Sequence, residues 1–354
     1  MKIHDSYEIV QVNSKKHLML YKDCFDNNGS PKSLDRLQWM HLNNTVNTTL
    51  VNLAVEKQTN DIGGIYAVFP CKYKVSDSIV IGTQSIDTLT DSKHRKKGLF
   101  KSLANDLYNR CINENISFVY GFPNDQSAFA FFNRLDWTEV TTVPFKILLL
   151  NTSYVKKVIA RKSKFISNLI PSLSLYRKRV KLSQNKKIVA VNRFSEITDT
   201  VWRSFSESYQ VGLLQDADYM NWRIFDKPNE EYKVRMLYEN DIAIAYVIYV
   251  VKSKHDGRIG YLMDFIYLQN FSKSAQDLLK YAINDMKNDN AEVILAWNLD
   301  HSLNSKNLND VGFRKLYKWL RPIKLYFGVR VFGSDKGLDK KDNWYLSYLD
   351  SDTV

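Results

Sequence analysis

The side chains best able to do chemistry are gathered between Ile81 and Val140. Arg95, Lys96, Lys97 and Lys101 place four cations around Gly98. A glycine lets the backbone approach a ligand with no Cβ in the way. If a helix starts at that point, its first N–H groups are unpaired and carry about half a positive charge. Cations, bare amides and a glycine together suit a phosphate or pyrophosphate. The same residues also fit a plain helix start with a solvated basic face. Asp87 is the only acid between Ile81 and Leu89. It is the candidate general base, able to draw a proton through one water; the other reading is a structural hydrogen bond that sets a bulge. Tyr66 and Tyr120 are candidate proton donors or core tyrosines. Asn124 is a ligand-binding amide or a turn cap. Six histidines are scattered with no HxxxH pair, and Cys24, Cys71 and Cys111 lie far apart with no CxxC, so no metal site is expected.

These residues need elements to hold them. Ile81, Ile86 and Leu89 supply the apolar positions of a strand, broken by Thr90, Asp91 and Ser92. Leu99, Leu103 and Leu107 recur at spacings of four and give the next helix one apolar face. Ile116 to Tyr120 reads as the following strand. Upstream, Leu50 to Lys57 and Gly64 to Cys71 read as an antiparallel hairpin, and Ser78 to Leu89 as the strand beside it. Ile3 to Val12 fits a strand or a short helix, Asp26 to Pro31 a loop, and Ser33 opens a helix that carries Leu37, Trp39 and Met40.

The order then repeats. Trp39-Met-His-Leu-Asn-Asn44 is echoed by Trp222 to Pro228, and the hairpin by Tyr232 to Tyr238 and Ile242 to Val251. Ile86-Asp87-Thr88-Leu89 is echoed by Met263-Asp264-Phe265-Ile266, the helix by Lys273 to Lys287, and Ser117 to Phe122 by Glu292 to Trp297. Asp87 lies 50 residues before Trp137, and Asp264 lies 49 before Phe313. Matched order and spacing indicate an internal repeat. The second copy has Gln269-Asn-Phe-Ser-Lys273 in place of Arg95 to Gly98, with no glycine and one cation, and is not expected to hold phosphates. Trp39 and Trp222 are expected in the core, and His41 and His94 at the surface. Trp344 to Val354 is expected to end in an edge strand.

Arg95-x-x-Gly98 between a strand and a helix resembles the acyl-CoA-binding motif of the GNAT N-acyltransferases, R/Q-x-x-G-x-G/A, with Phe100 in the last place. Asn124, Ser127 and Leu135-Asp136-Trp137 resemble that family's next conserved stretch, in which Phe132 stands where the thiolate-protonating Tyr is usual. The resemblance implies an α/β (α+β) fold of two GNAT-like modules, each a mixed, mostly antiparallel twisted sheet flanked by helices. The expected division is 1–150 as the module binding acyl-CoA, 151–192 as a basic linker, and 193–354 as a degenerate module shaping the acceptor site. The implied co-substrate is acetyl-CoA or 3-hydroxybutyryl-CoA. Its implied contacts are Thr88, Leu89, Thr90, Arg95, Lys96, Lys97, Gly98, Leu99, Phe100, Lys101, Asn124 and Ser127, with the backbone of Thr88 to Thr90 holding the thioester oxygen. The implied catalytic residues are Asp87, Asn124 and Tyr120; Tyr66, Gln84, Ser85, Asp264 and Trp297 are the implied acceptor contacts. Tyr-Gly-Phe-Pro-Asn124 with Phe131-Phe132 and Leu135-Asp136-Trp137 resembles a subgroup that works beside bacterial surface-sugar pathways. It implies a nucleotide-linked amino sugar as acceptor, such as a dTDP-3-amino-3,6-dideoxyhexose for O-antigen assembly.

Composition bounds the alternatives. The chain has 354 residues, 44% hydrophobic and 13% aromatic, enough for two or three domains with large cores. The separated cysteines fit a reducing cytoplasm. The first residues, Met1 to Lys16, hold no apolar core of a secretion signal, and no apolar run is long enough to span a membrane, so a cytoplasmic location is expected. The net charge of +12 is equalled by one segment: twelve Lys or Arg and no acid between Thr152 and Ser195. The remainder is near neutral, which argues against a nucleic-acid-binding surface spread over the protein. Val155, Val158, Ile159, Phe165, Ile166, Leu169 and Ile170 alternate there with cations at helical spacing. An inter-domain helix, a peripheral membrane contact and a cationic rim for a diphosphate all fit. Other functions that fit the tandem order are an aminoacyl-tRNA-dependent peptidyl transferase, which the intact Arg95 to Gly98 loop opposes, and an acyltransferase acting on protein lysine or another small amine. A binding protein acting through residues 152 to 195 is the non-enzymatic alternative.

Overall fold

Two serines start the first helices: Ser14 accepts a hydrogen bond from the His17 amide and Ser33 from the Arg36 amide. The computed structural model describes residues 3–160, 163–254, 256–317, 321, 323–333 and 337–354. In chain order, the first half contains β1 (Tyr7–Gln11), α1 (Lys15–Asn27), α2 (Leu34–His41), β2 (Leu50–Glu56), β3 (Ile62–Val75) and β4 (Ser78–Thr90). It continues with α3 (Leu99–Asn113), β5 (Phe118–Gly121), α4 (Ala128–Arg134), β6 (Thr138–Thr142) and β7 (Phe145–Leu149). α1 is not among the expected elements, although Leu18, Tyr21, Cys24 and Phe25 form one buried face behind the Ser14 cap.

The second half contains α5 (Ser153–Ala160), α6 (Lys164–Asn168), β8 (Lys186–Ala190), α7 (Glu196–Ser206), β9 (Val211–Leu213), α8 (Ala217–Met220), β10 (Lys233–Glu239) and β11 (Ile242–Lys254). It closes with β12 (Gly257–Tyr267), α9 (Ser272–Asn288), β13 (Val293–Trp297), α10 (Asn304–Val311), β14 (Arg314–Lys315) and β15 (Tyr326–Val331). Expected hairpins, helices and strands lie within a few residues of these bounds. The C-terminal edge strand is a correction: Trp344 makes a single bridge to Val211, and the chain then runs irregularly into a short 3-10 turn at Tyr348–Asp350.

The strands make two sheets. One runs β1-β2-β3-β4-β5-β15-β6, with β9 on the end of β3; the other runs β14-β7-β13-β12-β11-β10-β8. In each, two long strands pair antiparallel (β3 with β4, β11 with β12) and the second also pairs parallel with the strand after the helix. The two modules exchange their last strands. β7 leaves its own half to pair with β13, and β15 enters the first sheet between β5 and β6. The sheets therefore do not divide at 150 and 193. The link between β6 and β7 explains the crossing. It is Val143-Pro144, whereas a two-residue hairpin needs left-handed residues such as Asn-Gly. Pro144 also has no N–H to give and holds Val143 extended, so the chain runs on to the other sheet.

The core fills both faces of the first sheet and the space between the sheets. α3 lays Leu99, Leu103, Leu107, Tyr108 and Cys111 on one face, and α1 and α2 cover the other. Removing one such leucine to alanine costs about 2–5 kcal/mol. His41 and His94, expected outside, are both buried, because α2 and the turn before α3 pack onto the sheet.

Candidate functional site

The parallel pairing of β4 with β5 runs from Gly82–Phe118 to Ser85–Gly121 and then stops. β4 continues to Thr90 while β5 ends, so the strands part and leave a gap on that side. One residue of β4 is bulged at the parting: Ala67 faces Asp87 and Val68 faces Ser85, with Ile86 left over. The bulge thus lies at Ile86, ahead of the expected Thr88, Leu89 and Thr90.

The basic turn closes the end of this gap. Gly98 is left-handed (φ 72°) and is the residue before α3, with no side-chain cap on the helix. Among the described residues, no protein group accepts a hydrogen bond from the amides of Gly98, Leu99, Phe100 or Lys101. Arg95, Lys96 and Lys101 are exposed and make no ion pair among the described residues. The N-terminus of a 15-residue helix is therefore left open with three cations beside it. Lys97 is different. Its Nζ lies 2.7 Å from the Tyr7 hydroxyl and 3.5 Å from Glu56 Oε1, and the hydrogen bond with Tyr7 raises its pKa. Tyr7 in turn meets His94 Nδ1 at 2.7 Å, which pins the turn to β1. Glu56, Asp61 and His94 bring three ligand-type atoms within 4.8 Å of one another, and the Lys97 ammonium already supplies a cation there. Phe100 packs edge-on against Tyr66 and Phe131.

Asp87 is held at both oxygens: Oδ2 accepts from the Tyr21 hydroxyl at 2.6 Å and Oδ1 from Lys32 Nζ at 2.6 Å. Beside them is His41, buried rather than at the expected surface. Its ring lies 5.7 Å from that of Tyr21, and both ring nitrogens are buried without a partner among the described residues. Burial pushes its imidazole down to about 4, with Asp87 pulling it partly back. Lys32 and His41 carried no motif; only the packing of α1 and α2 over β4 brings them to Asp87.

Other expected site residues are placed otherwise. Tyr120 is sealed in the core, and its hydroxyl donates to the main-chain oxygen of Asp350 at 3.0 Å, so it does not face the gap. Tyr66 is buried, with its hydroxyl 2.5 Å from that of Tyr108 and 3.2 Å from Ser85 Oγ. Gln84 is buried opposite Phe69 and Tyr120 in the ladder. Asn124 and Ser127 cap each other: Asn124 Oδ1 accepts from the Gln126 and Ser127 amides at 3.0 and 3.1 Å. That is the turn-cap reading. Phe132 meets the Tyr326 ring at 5.9 Å, and β15 is what delivers that tyrosine from the other half of the chain. Tyr326 donates to Asp125 at 2.9 Å.

The second module repeats the frame and fills it. β12 and β13 pair to Leu262–Ala296, and Met263 is bulged before Asp264, as Ile86 is before Asp87. Into this gap goes the chain's own segment Trp344 to Asp350. Tyr348 stacks on Trp297 at 4.6 Å and meets Tyr261 edge-on. Tyr345 and Ser347 donate to the carboxylate of Asp264, and Gln215 does so at 2.6 Å. Asp264 and Trp297 are thus structural here and closed to an acceptor.

Comparison with known proteins bears on the fold. Residues 13–140 match the acetyltransferase (GNAT) domain family. No curated protein matches the sequence. The fold is similar to that of N-myristoyltransferase from Saccharomyces cerevisiae, solved with bound myristoyl-CoA, at a TM-score of 0.60 and 12% identity over 93% of this chain and 83% of that one. It is also similar to a GCN5-related N-acetyltransferase from Anabaena variabilis, at a TM-score of 0.65 and 10% identity over 94% of this chain and 74% of that one. At these identities the likeness is one of fold. The family match covers residues 13–140 and supports an N-acyltransferase enzyme.

Proposed function

We propose that the chain transfers an acyl group from acyl-CoA to a primary amine, using the first module alone for the thioester. The observation that carries this reading is the row of unpartnered amides from Gly98 to Lys101 beside Arg95, Lys96 and Lys101. Those groups would hold the diphosphate of CoA, and the gap beyond Ser85 and Gly121 would take the arm that carries the thioester. A bulge is where a backbone N–H can leave its ladder, so Ile86 is the proposed donor to the thioester oxygen. One such donor is worth about 2.7–4 kcal/mol of barrier.

The amine nitrogen attacks the thioester carbon and the carbon–sulfur bond breaks. Asp87 accepts the proton that the amine loses, exchanging its contact with Lys32 for the amine. Tyr326, beside Phe132, gives the departing thiolate its proton. The filled second module supports an acceptor that enters on the α1 and α2 side, next to Asp87, Tyr21 and His41. The acceptor we favour is the amino group of a nucleotide-linked amino sugar, with dTDP-3-amino-3,6-dideoxyhexose as the type, acylated by acetyl-CoA or 3-hydroxybutyryl-CoA. What supports it is the resemblance of Tyr120 to Asn124 and of Leu135 to Trp137 to that subgroup.

Release of free thiol, followed with several acyl-CoAs against a panel of nucleotide amino sugars, lysine peptides and small amines, tests the reading. Turnover is expected with an amino sugar. Turnover only with a peptide replaces the acceptor class. Failure of any acyl-CoA to bind removes the reading.

A further inference from the structure

We propose that residues 153–182 dock the protein on an anionic lipid surface. This does not rest on the acyl-transfer reading. The segment is a lobe clipped at its base. The Thr152 amide donates to the Leu173 carbonyl at 3.0 Å, the Leu173 amide to Thr152 Oγ1 at 2.8 Å, and Thr152 Oγ1 to the Pro171 carbonyl at 2.5 Å. Asn151 and Ser174 bridge beside them. Between these ends α5 and α6 pack on each other, and α5 buries none of its residues.

The lobe presents what a core would hide. Among the described residues, four of the fifteen large apolar side chains left exposed are Val158, Phe165, Leu169 and Leu173, and two more, Leu175 and Leu182, lie on the run that leaves the lobe past α9. Phe165 is 76% exposed and Leu169 70%. Single exposed apolar residues are ordinary; this many along one stretch of chain point to an interaction site.

The charge around the cluster identifies the partner. No acid occurs between Thr152 and Ser195. Lys156, Lys164, Arg177, Arg179 and Lys181 make no ion pair with an acid among the described residues, while Lys157 is tied to Glu292 at 2.8 Å. Arg161 and Lys162 add two cations to the sequence and lie outside the described residues. Free cations beside leucine and phenylalanine side chains suit lipid phosphates above an acyl phase. A nucleic acid would satisfy the cations and leave the leucines in water. No helix of the described residues is long and apolar enough to cross a membrane, so the contact is with the surface.

Sedimentation of the full chain with vesicles tests this. Phosphatidylcholine vesicles are compared with mixed phosphatidylcholine and phosphatidylglycerol vesicles at low and high salt. The expected result is partitioning about tenfold stronger onto the mixed vesicles, weakened by salt. Phe165→Ser with Leu169→Ser should lower it about tenfold, as should Lys164→Glu with Arg177→Glu and Lys181→Glu. These side chains lie outside the core, so unchanged thermal melts check that the variants fold. The proposal is overturned if the protein stays in solution with the mixed vesicles at low salt. It is also overturned if the serine variant binds them as the wild type does, or if duplex DNA captures both proteins equally and displaces them from lipid.

Discussion

Trp39 and Trp222 stack face to face, 4.3 Å between centroids and 14° from parallel, and each donates its indole N–H to the other's main-chain carbonyl, at 3.0 and 3.2 Å. They hold matched places in the two copies, so the contact is the repeat meeting itself across the interface. Trp39→Ala and Trp222→Ala should each cost about 3–5 kcal/mol in urea unfolding. The double variant should lose less than the sum, with a coupling of about 0.5–3 kcal/mol. Additive losses would mean that the two rings act independently.

Gly98→Glu should abolish acyl-CoA binding while keeping the fold. The new carboxylate repels a diphosphate, and the left-handed backbone (φ 72°) adds strain of about 1 kcal/mol. Calorimetry reads the affinity, with Gly98→Ala as the control for strain alone. Undiminished affinity in the glutamate variant would count against the loop as the phosphate site.

Asp87→Asn should lower kcat by about 100-fold or more with little change in KM, as for the loss of a general base. Asp87 also forms an ion pair with Lys32, so Lys32→Met is the companion variant. If Asp87 serves only that pair, both variants lose stability alike and both keep their rate.

Tyr326→Phe should slow transfer from acyl-CoA through loss of the thiolate's proton. The loss should shrink with a thioester whose thiol is more acidic, since that thiolate needs no proton to leave. A loss equal for both donors would assign Tyr326 to packing against Phe132.

Asp350→Asn should change the pH dependence of stability. Burial pushes the Asp264 carboxyl up to about 6, and burial together with the nearby Asp264 pushes Asp350 up to about 7. An unfolded aspartate titrates near 3.9. The stability that these protons contribute is full below about pH 4 and is lost as pH rises through about 6 and 7. Asparagine keeps the neutral shape at every pH. The variant should match the wild type below about pH 4 and exceed it by a few kcal/mol near about pH 8. Urea unfolding at both pH values reads this, and an equal difference at both would assign the shift elsewhere.

Local pattern sufficed for much of the molecule. The spacing of Leu99, Leu103 and Leu107 fixed a helix face, Gly98 its start, and the echo of Asp87 by Asp264 the repeated frame, because period, turn chemistry and order are written in neighbouring residues. The candidate site was legible in part for the same reason: Arg95 to Lys101 is contiguous, so its amides and charges needed no distant partner to be read. The burial of Tyr120 under Asp350, the approach of Lys32 and His41 to Asp87, and the arrival of Tyr326 beside Phe132 were decided only by the tertiary structure. So were the exchange of β7 and β15 and the filling of one gap by Trp344 to Asp350. Each of these joins residues far apart in the chain, through contacts whose partners no local spacing specifies. What separates the open module from the filled one is therefore where a distant segment comes to rest.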